Sequence, residues 1–292
     1  MGVFYGTSYE IVYRSSGNSD YSSELQWNIK PLLYMGINIE FCPQKPQEAW
    51  GFFTVIGIKS TLPVKTGIME DRDWMTPCTV PGALTHYSLH DNYTERFFFA
   101  GLDAGFSFPI KKFVLKFYIN LDYMYFKWEA RDGYIQYGEN YYKKGTDTDP
   151  YIPWNSGFLR DYSIAKGLCI SYVQNWIFFN TGIGAELTLG RFTLQAAFFI
   201  GPSICIAIDD HHLRNIRYTG ALTRGFFIKP KLDAFFSLSS RFDIGISAAY
   251  WYIGETRGDT KIREPNNTYF TWDAEGAQLK AFEGTVALRY RF

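Results

Sequence analysis

An all-β fold, a ten-stranded antiparallel transmembrane β-barrel with short periplasmic turns and long extracellular loops, is predicted by three features of the 292-residue chain. Aromatic residues make up 19% of it, more rings than one soluble core uses, while charges balance at 29 basic against 29 acidic. Mean hydropathy is -0.17, and no stretch reaches the roughly 18 uninterrupted apolar residues of a membrane helix. Apolar and polar residues alternate instead with a period of two, which reconciles a near-neutral hydropathy with a ring-rich outer wall and a wet interior. The balanced charge provides no basic field for nucleic acid. One barrel domain is expected to take up residues 1–292.

The chain opens on Met1-Gly2-Val3-Phe4-Tyr5, without a basic region or an apolar run ending in a cleavage site, so a signal peptide is expected to have been removed. The first strand puts Tyr5, Thr7, Tyr9, Ile11 and Tyr13 on one face, and Gly6, Ser8, Glu10 and Val12 on the other. The second carries Leu25, Trp27, Ile29, Leu33, Met35, Ile37, Ile39 and Phe41 against Gln26, Asn28, Lys30, Tyr34, Asn38 and Glu40. Phe52, Thr54, Ile56 and Ile58 continue the outer face in the third strand, Leu102, Phe106 and Phe108 in the fourth, and Phe113, Leu115, Phe117, Ile119 and Leu121 in the fifth. Lys116, Asn120 and Asp122 face inward in the fifth. Further strands are expected at about 167–189, 192–208, 216–237, 242–254 and 278–292.

Connection lengths give an independent test. Long segments at about 14–23, 62–95, 129–165, 209–216 and 256–277 alternate with short ones near Pro43, Lys111, Gly190 and Ser239, as in bacterial barrels whose extracellular loops are long and whose periplasmic turns are short. The last strand sets Phe282, Gly284, Val286, Leu288, Tyr290 and the terminal Phe292 against Arg289 and Arg291, and such a terminal aromatic resembles an outer-membrane assembly signal. The bland alternative is a soluble up-and-down barrel or sandwich. The cysteines Cys42, Cys78, Cys169 and Cys205 have no CxxC or Cys/His spacing, so no metal site is expected and no disulfide can be read.

Two clusters could carry chemistry. In an extended Glu70-Asp71-Arg72-Asp73-Trp74-Met75, Asp71 and Asp73 point to the same side, where two carboxylates can share a proton or hold a water. The second cluster is Asp209-Asp210-His211-His212, in which Asp209 with His211, or Asp210 with His212, offers an imidazole oriented by a carboxylate. Each cluster also reads as a solvated polar turn. The loop tyrosines Tyr134, Tyr137, Tyr141 and Tyr142 read as packing aromatics rather than an adhesive surface.

A ten-stranded barrel with Asp71-x-Asp73-Trp74-Met75 in one loop region and Asp-x-His after the seventh strand resembles the omptins, outer-membrane endopeptidases of Gram-negative bacteria. Gly6-x-x-x-Glu10-x-Val12-Tyr13, Ser23-Glu24-Leu25-Gln26-Trp27 and Leu288-Arg289-Tyr290-Arg291-Phe292 also fall in family order. The resemblance implies catalytic acids at Asp71 and Asp73 and a dyad at Asp210 and His212, the frame that keeps the run from Phe192 ungapped. His212 would deprotonate a water held against the acid pair, without a metal, and Asp210 would stabilise the imidazolium. Glu10 matches the glutamate that lines the family's pocket for a basic side chain before the scissile bond. Ile208 stands where the family has a second pocket acid, two positions before the dyad. Asp91 matches the acid that receives the following basic residue.

The implied activity is metal-independent, aspartic-type hydrolysis of polypeptides at the outer face of the bacterial outer membrane, by a monomer. No cofactor is implied, and the family's lipopolysaccharide-binding residues match no positions here, so the lipid partner is left open. A barrel that has lost catalysis and serves as a surface adhesin or binding protein is the alternative. A passive pore fits poorly with a lumen filled by inward side chains.

Overall fold

The computed structural model describes residues 1–14, 21–43, 50–138, 150–156 and 161–291. Its strands are β1 (Gly2–Tyr13), β2 (Tyr21–Phe41), β3 (Gly51–Ser60), β4 (Val64–Asp73), β5 (His86–Ile110), β6 (Phe113–Tyr137), β7 (Asp161–Ile164), β8 (Leu168–Leu189), β9 (Phe192–His211), β10 (Ile216–Ser237), β11 (Phe242–Glu264) and β12 (Asn267–Tyr290). The strands pair antiparallel and close into a ring where β1 meets β12, from Gly2 opposite Thr285 to Val12 opposite Glu275. β3 and β4 lie end to end between β2 and β5, so they count as one stave. β7 is a short strand beside the far end of β6. Ten staves therefore form the ring, as the alternation implies.

Parity decides what each stave shows to the outside. Met35, Ile37, Ile39 and Phe41 on β2, Ile119 on β6, and Phe282 and Leu288 on β12 project outward as an exposed apolar belt. That belt covers the end of the barrel closed by the short turns at 111–112, 190–191 and 238–241. At two of these turns Lys111 (φ 57°) and Gly190 (φ 59°) take the left-handed backbone that a two-residue hairpin requires. Lys116, Asn120 and Asp122 are buried inside, as expected.

Rings fill the interior. Trp27 stacks on Tyr172 (5.5 Å between centroids) and on Trp128 (6.2 Å), Phe126 stacks on Trp128 (4.6 Å), and Phe178 packs on Phe227 (4.7 Å). All of these rings are fully buried, which accounts for aromatics beyond those on the outer wall. Trp128→Ala would open a large cavity in this stack. It is expected to cost about 3–5 kcal/mol, read as a lower unfolding midpoint of the barrel in detergent micelles.

The long connections differ from expectation. Much of 62–95 is strand, formed by β4 and the first part of β5, and 256–277 is a hairpin closed at Glu264 opposite Asn267. β6 likewise runs to Tyr137, and β9 to His211, inside segments expected to be loops. The staves thus continue well past the apolar belt, where both faces meet water and the apolar half of the alternation is lost from the sequence. The terminal Phe292 and the tyrosines Tyr141 and Tyr142 lie outside the described residues.

Candidate active site at the barrel mouth

Because β4 is extended, Asp71 and Asp73 point to the same side, into the mouth, and are only 8% and 7% exposed. Asp71 lies opposite Leu25 on β2 and Ser88 on β5, and Asp73 lies opposite Ser23 and His86. The inward residues of β5 are His86, Ser88 and His90, all buried. Thr85 Oγ1 donates to the Asp73 carbonyl at 2.9 Å and fixes the end of β4. His90 Nδ1 donates to the Asp132 carbonyl at 2.5 Å, so its Nε2, 3.0 Å from Ser88 Oγ, accepts from that hydroxyl. Ser88 Oγ also lies 3.5 Å from Asp71 Oδ2, a long and weak contact. Burial holds the His90 pKa below its usual value, consistent with a neutral ring.

Across the mouth, β9 presents Asp209 and His211. Asp209 is 1% exposed, and its Oδ2 holds His211 Nε2 at 2.5 Å. The His211 ring rests edge-on against Tyr218 at 5.5 Å. The ring nitrogen that Asp209 does not hold is the one that can take a proton. Glu10, 2% exposed, projects inward from β1 between these groups and the aromatic stack.

The groups form one electrostatic unit. Burial opposes charging His211, but the charge of Asp209, its hydrogen bond and the charge of Asp71 outweigh that and raise the pKa. Burial, then repulsion from Asp73, lifts Asp71 well above the usual carboxylate range, and His211 and Arg214 pull it back. Burial likewise raises Asp73, against a hydrogen bond from Ser23 and the charges of Arg214 and His211. Glu10 is raised well above its ordinary value, first by burial, then by Asp209 and Glu275, and by a hydrogen bond with Asp209. Burial pushes Glu275 up to about 8, with Asp209 adding to it and a hydrogen bond from Thr260 opposing it. Arg214 donates to the Tyr137 hydroxyl at 2.8 Å and brings a positive charge to the rim near Asp71 and Asp73. Asp71 Oδ1, Asp209 Oδ1, Glu10 Oε2 and Glu275 Oε1 are buried without a hydrogen-bond partner.

The structure brings together Asp71, Asp73 and Glu10, but not Asp210 and His212. Asp210 is on the outer wall, where its Oδ2 accepts from Arg217 Nε at 3.0 Å, and His212 Nε2 lies 3.0 Å from Ser171 Oγ in an exposed position. The inward pair is the earlier one, Asp209 and His211, because β9 pairs with β8 in an unbroken register and keeps odd-numbered residues inward. The same parity turns Ile208 away from the mouth, and the inward residue two positions before the dyad is Ala207, fully buried. Asp91 also faces outward, paired with Lys65 Nζ at 2.7 Å, because β5 keeps its even-numbered residues His86, Ser88, His90 and Asn92 inward. His86, Ser88, His90, Arg214 and Glu275 escape the sequence reading, although His86-x-Ser88-x-His90 repeats the two-residue spacing of Asp71-x-Asp73.

Opposed across a mouth closed below by stacked rings, an imidazole oriented by one carboxylate and a pair of acids can hold a water, remove its proton and protonate a leaving group. Comparisons with known proteins agree with this architecture. A model of the Omptin family matches residues 1–292. The crystal structure of the outer-membrane protease OmpT from Escherichia coli superposes with a TM-score of 0.85 at 17% identity, covering 100% of this chain and 94% of that one. The β domain of the Bordetella autotransporter BrkA gives a TM-score of only 0.30 at 9% identity, covering 100% of this chain and 98% of that one. A search of curated protein sequences finds no match.

Proposed function

The chain belongs to the omptin family, and from that premise we propose an outer-membrane endopeptidase whose water is activated by the Asp209/His211 dyad against the Asp71/Asp73 pair, without a metal. The observation that carries this reading is the buried 2.5 Å contact of Asp209 with His211, facing two buried acids from the far side of the barrel. His211 takes the proton of the water and Asp209 stabilises the imidazolium that forms. Asp71 and Asp73, both raised by burial, share protons as a pair and hold the water on the side facing His211. Glu10 reaches Asp209 across the lumen from β1, four staves away, where it meets the side chain before the scissile bond. The mouth faces the cell exterior, and the substrate is a polypeptide reaching it from there.

The pH profile tests the base. His211 is competent only when neutral, and its pKa is raised, so kcat/KM is expected to fall on the acid side with a midpoint above the roughly 6.5 of a free imidazole. In Asp209→Asn the two largest raising interactions are weakened or gone while burial and the charge of Asp71 remain, so the residual rate should have its acid limb shifted to lower pH. An acid limb that stays in place would remove His211 from the role of base. Addition of a chelator is expected to leave the rate unchanged, and a chelator-sensitive rate restored by a metal would end the metal-independent reading.

A further inference from the structure

Ala207 leaves the wall of β9 without a carboxylate, yet a buried acid occupies the space next to it. Ala207 on β9 is opposite Gly220 on β10, and Gly220 is opposite Thr260 on β11, so the three form one row across the inner wall. Glu275, from the next stave, is 2% exposed and lies across that row. Thr260 Oγ1 donates to its Oε2 at 2.5 Å. A Cβ placed on Gly220 would sit 2.6 Å from the Cδ and from both oxygens of Glu275, so the missing side chain on β10 is what admits the carboxylate. On β1, Glu10 pairs with Ala277, two residues along β12 from Glu275, and Glu10 and Glu275 repel each other.

We propose that Glu275, reaching from β12 over Gly220 into the space beside Ala207, is the second carboxylate of a pocket shared with Glu10 and determines its specificity for a guanidinium or ammonium side chain. The buried Oε1 of Glu275 and Oε2 of Glu10 have no hydrogen-bond partner, and neither residue is ion-paired among the described residues. Two desolvated carboxylates so placed repel each other until a cation arrives, and a guanidinium offers donors to both. The acid that β9 lacks is thus supplied from three staves away, and the small residues at 207 and 220 are the room it needs. This inference rests on the proteolytic reading only for the view that the occupant is a substrate side chain.

Equilibrium binding reads the pocket without turnover. Calorimetry on the folded barrel in detergent micelles would compare arginine amide with citrulline amide, which keeps the shape and removes the charge. Wild type is expected to prefer arginine amide by about tenfold or more, Glu275→Gln to lose about tenfold of that affinity with citrulline amide unchanged, and Glu275→Gln/Ala207→Asp to regain it, tenfold being about 1.4 kcal/mol. Gly220→Ala, which keeps Glu275 but takes the space of its carboxylate, should give a similar loss and serves if Glu275→Gln does not fold. Wild-type discrimination retained in either folded variant, or a wild type blind to the charge, overturns the proposal. Arginine amide binding by a barrel that cleaves no peptide would instead overturn the proteolytic reading and leave the pocket standing.

Discussion

His211→Ala is expected to lower kcat/KM on a cleavable peptide by about 100- to 10,000-fold, the usual range for loss of a positioned general base. At about 1.36 kcal/mol per decade this is roughly 3–5 kcal/mol of transition-state stabilisation. His212→Ala should stay within about threefold of wild type, because its ring stands on the outer wall against Ser171 and such surface changes move free energies by about half a kcal/mol. The paired measurement separates two frames that differ by one residue. If His212→Ala carried the large loss and His211→Ala the small one, the inward orientation of Asp209 and His211 would not be the reacting one.

The second large effect is expected at Asp71. Asp71→Asn keeps the volume of the side chain but removes a charge that faces His211, and kcat/KM should fall about 100-fold or more as the water loses one of its holders. His211 feels Asp71 directly, after the burial that opposes its charge and the two interactions with Asp209 that raise it. Asp71→Asn should therefore also move the acid limb of the remaining activity to lower pH, since one of the interactions raising the imidazole pKa is gone. Asp91→Asn supplies the contrast, because that carboxylate pairs with Lys65 on the outer wall and its loss should leave both the rate and the pH profile in place. An Asp71→Asn protein with normal rate and normal profile would take the acid pair out of the chemistry.

Most of the architecture was legible in the sequence because the belt forces a contrast. Residues such as Ile37, Ile119 and Leu288 can only face an apolar surround, so strand number and parity follow wherever that contrast exists. Above the belt the contrast disappears, which is why β4, the far end of β6 and the β11–β12 hairpin read as loops. The site fell in this wet region. Asp209-Asp210-His211-His212 contains the same Asp-x-His pattern in both frames, and the ungapped comparison from Phe192 favoured Asp210 and His212, the pair that the fold turns outward. The parity needed to choose was present: Phe192, Leu194, Phe198 and Ile200 are outward on β9, and without a bulge the even positions stay outward to 210 and 212. On β5 the same parity, with His86, Ser88, His90 and Asn92 inward, places Asp91 outside, whereas Glu275 needed the missing side chain at Gly220. That contact cannot be read from a period of two, because it depends on how one stave meets another.

The ring stack of Trp27, Trp128 and Tyr172 beneath the mouth has a consequence for where the reaction gets its protons. With the lumen filled below the acids, water and hydronium reach His211 from the same side as the peptide, and both product fragments leave by that side. The ionisation of the dyad therefore follows the acidity of one compartment and ignores the other. A barrel reconstituted in vesicles with its mouth outward should change its cleavage rate when the bath is acidified and keep it when only the vesicle interior is.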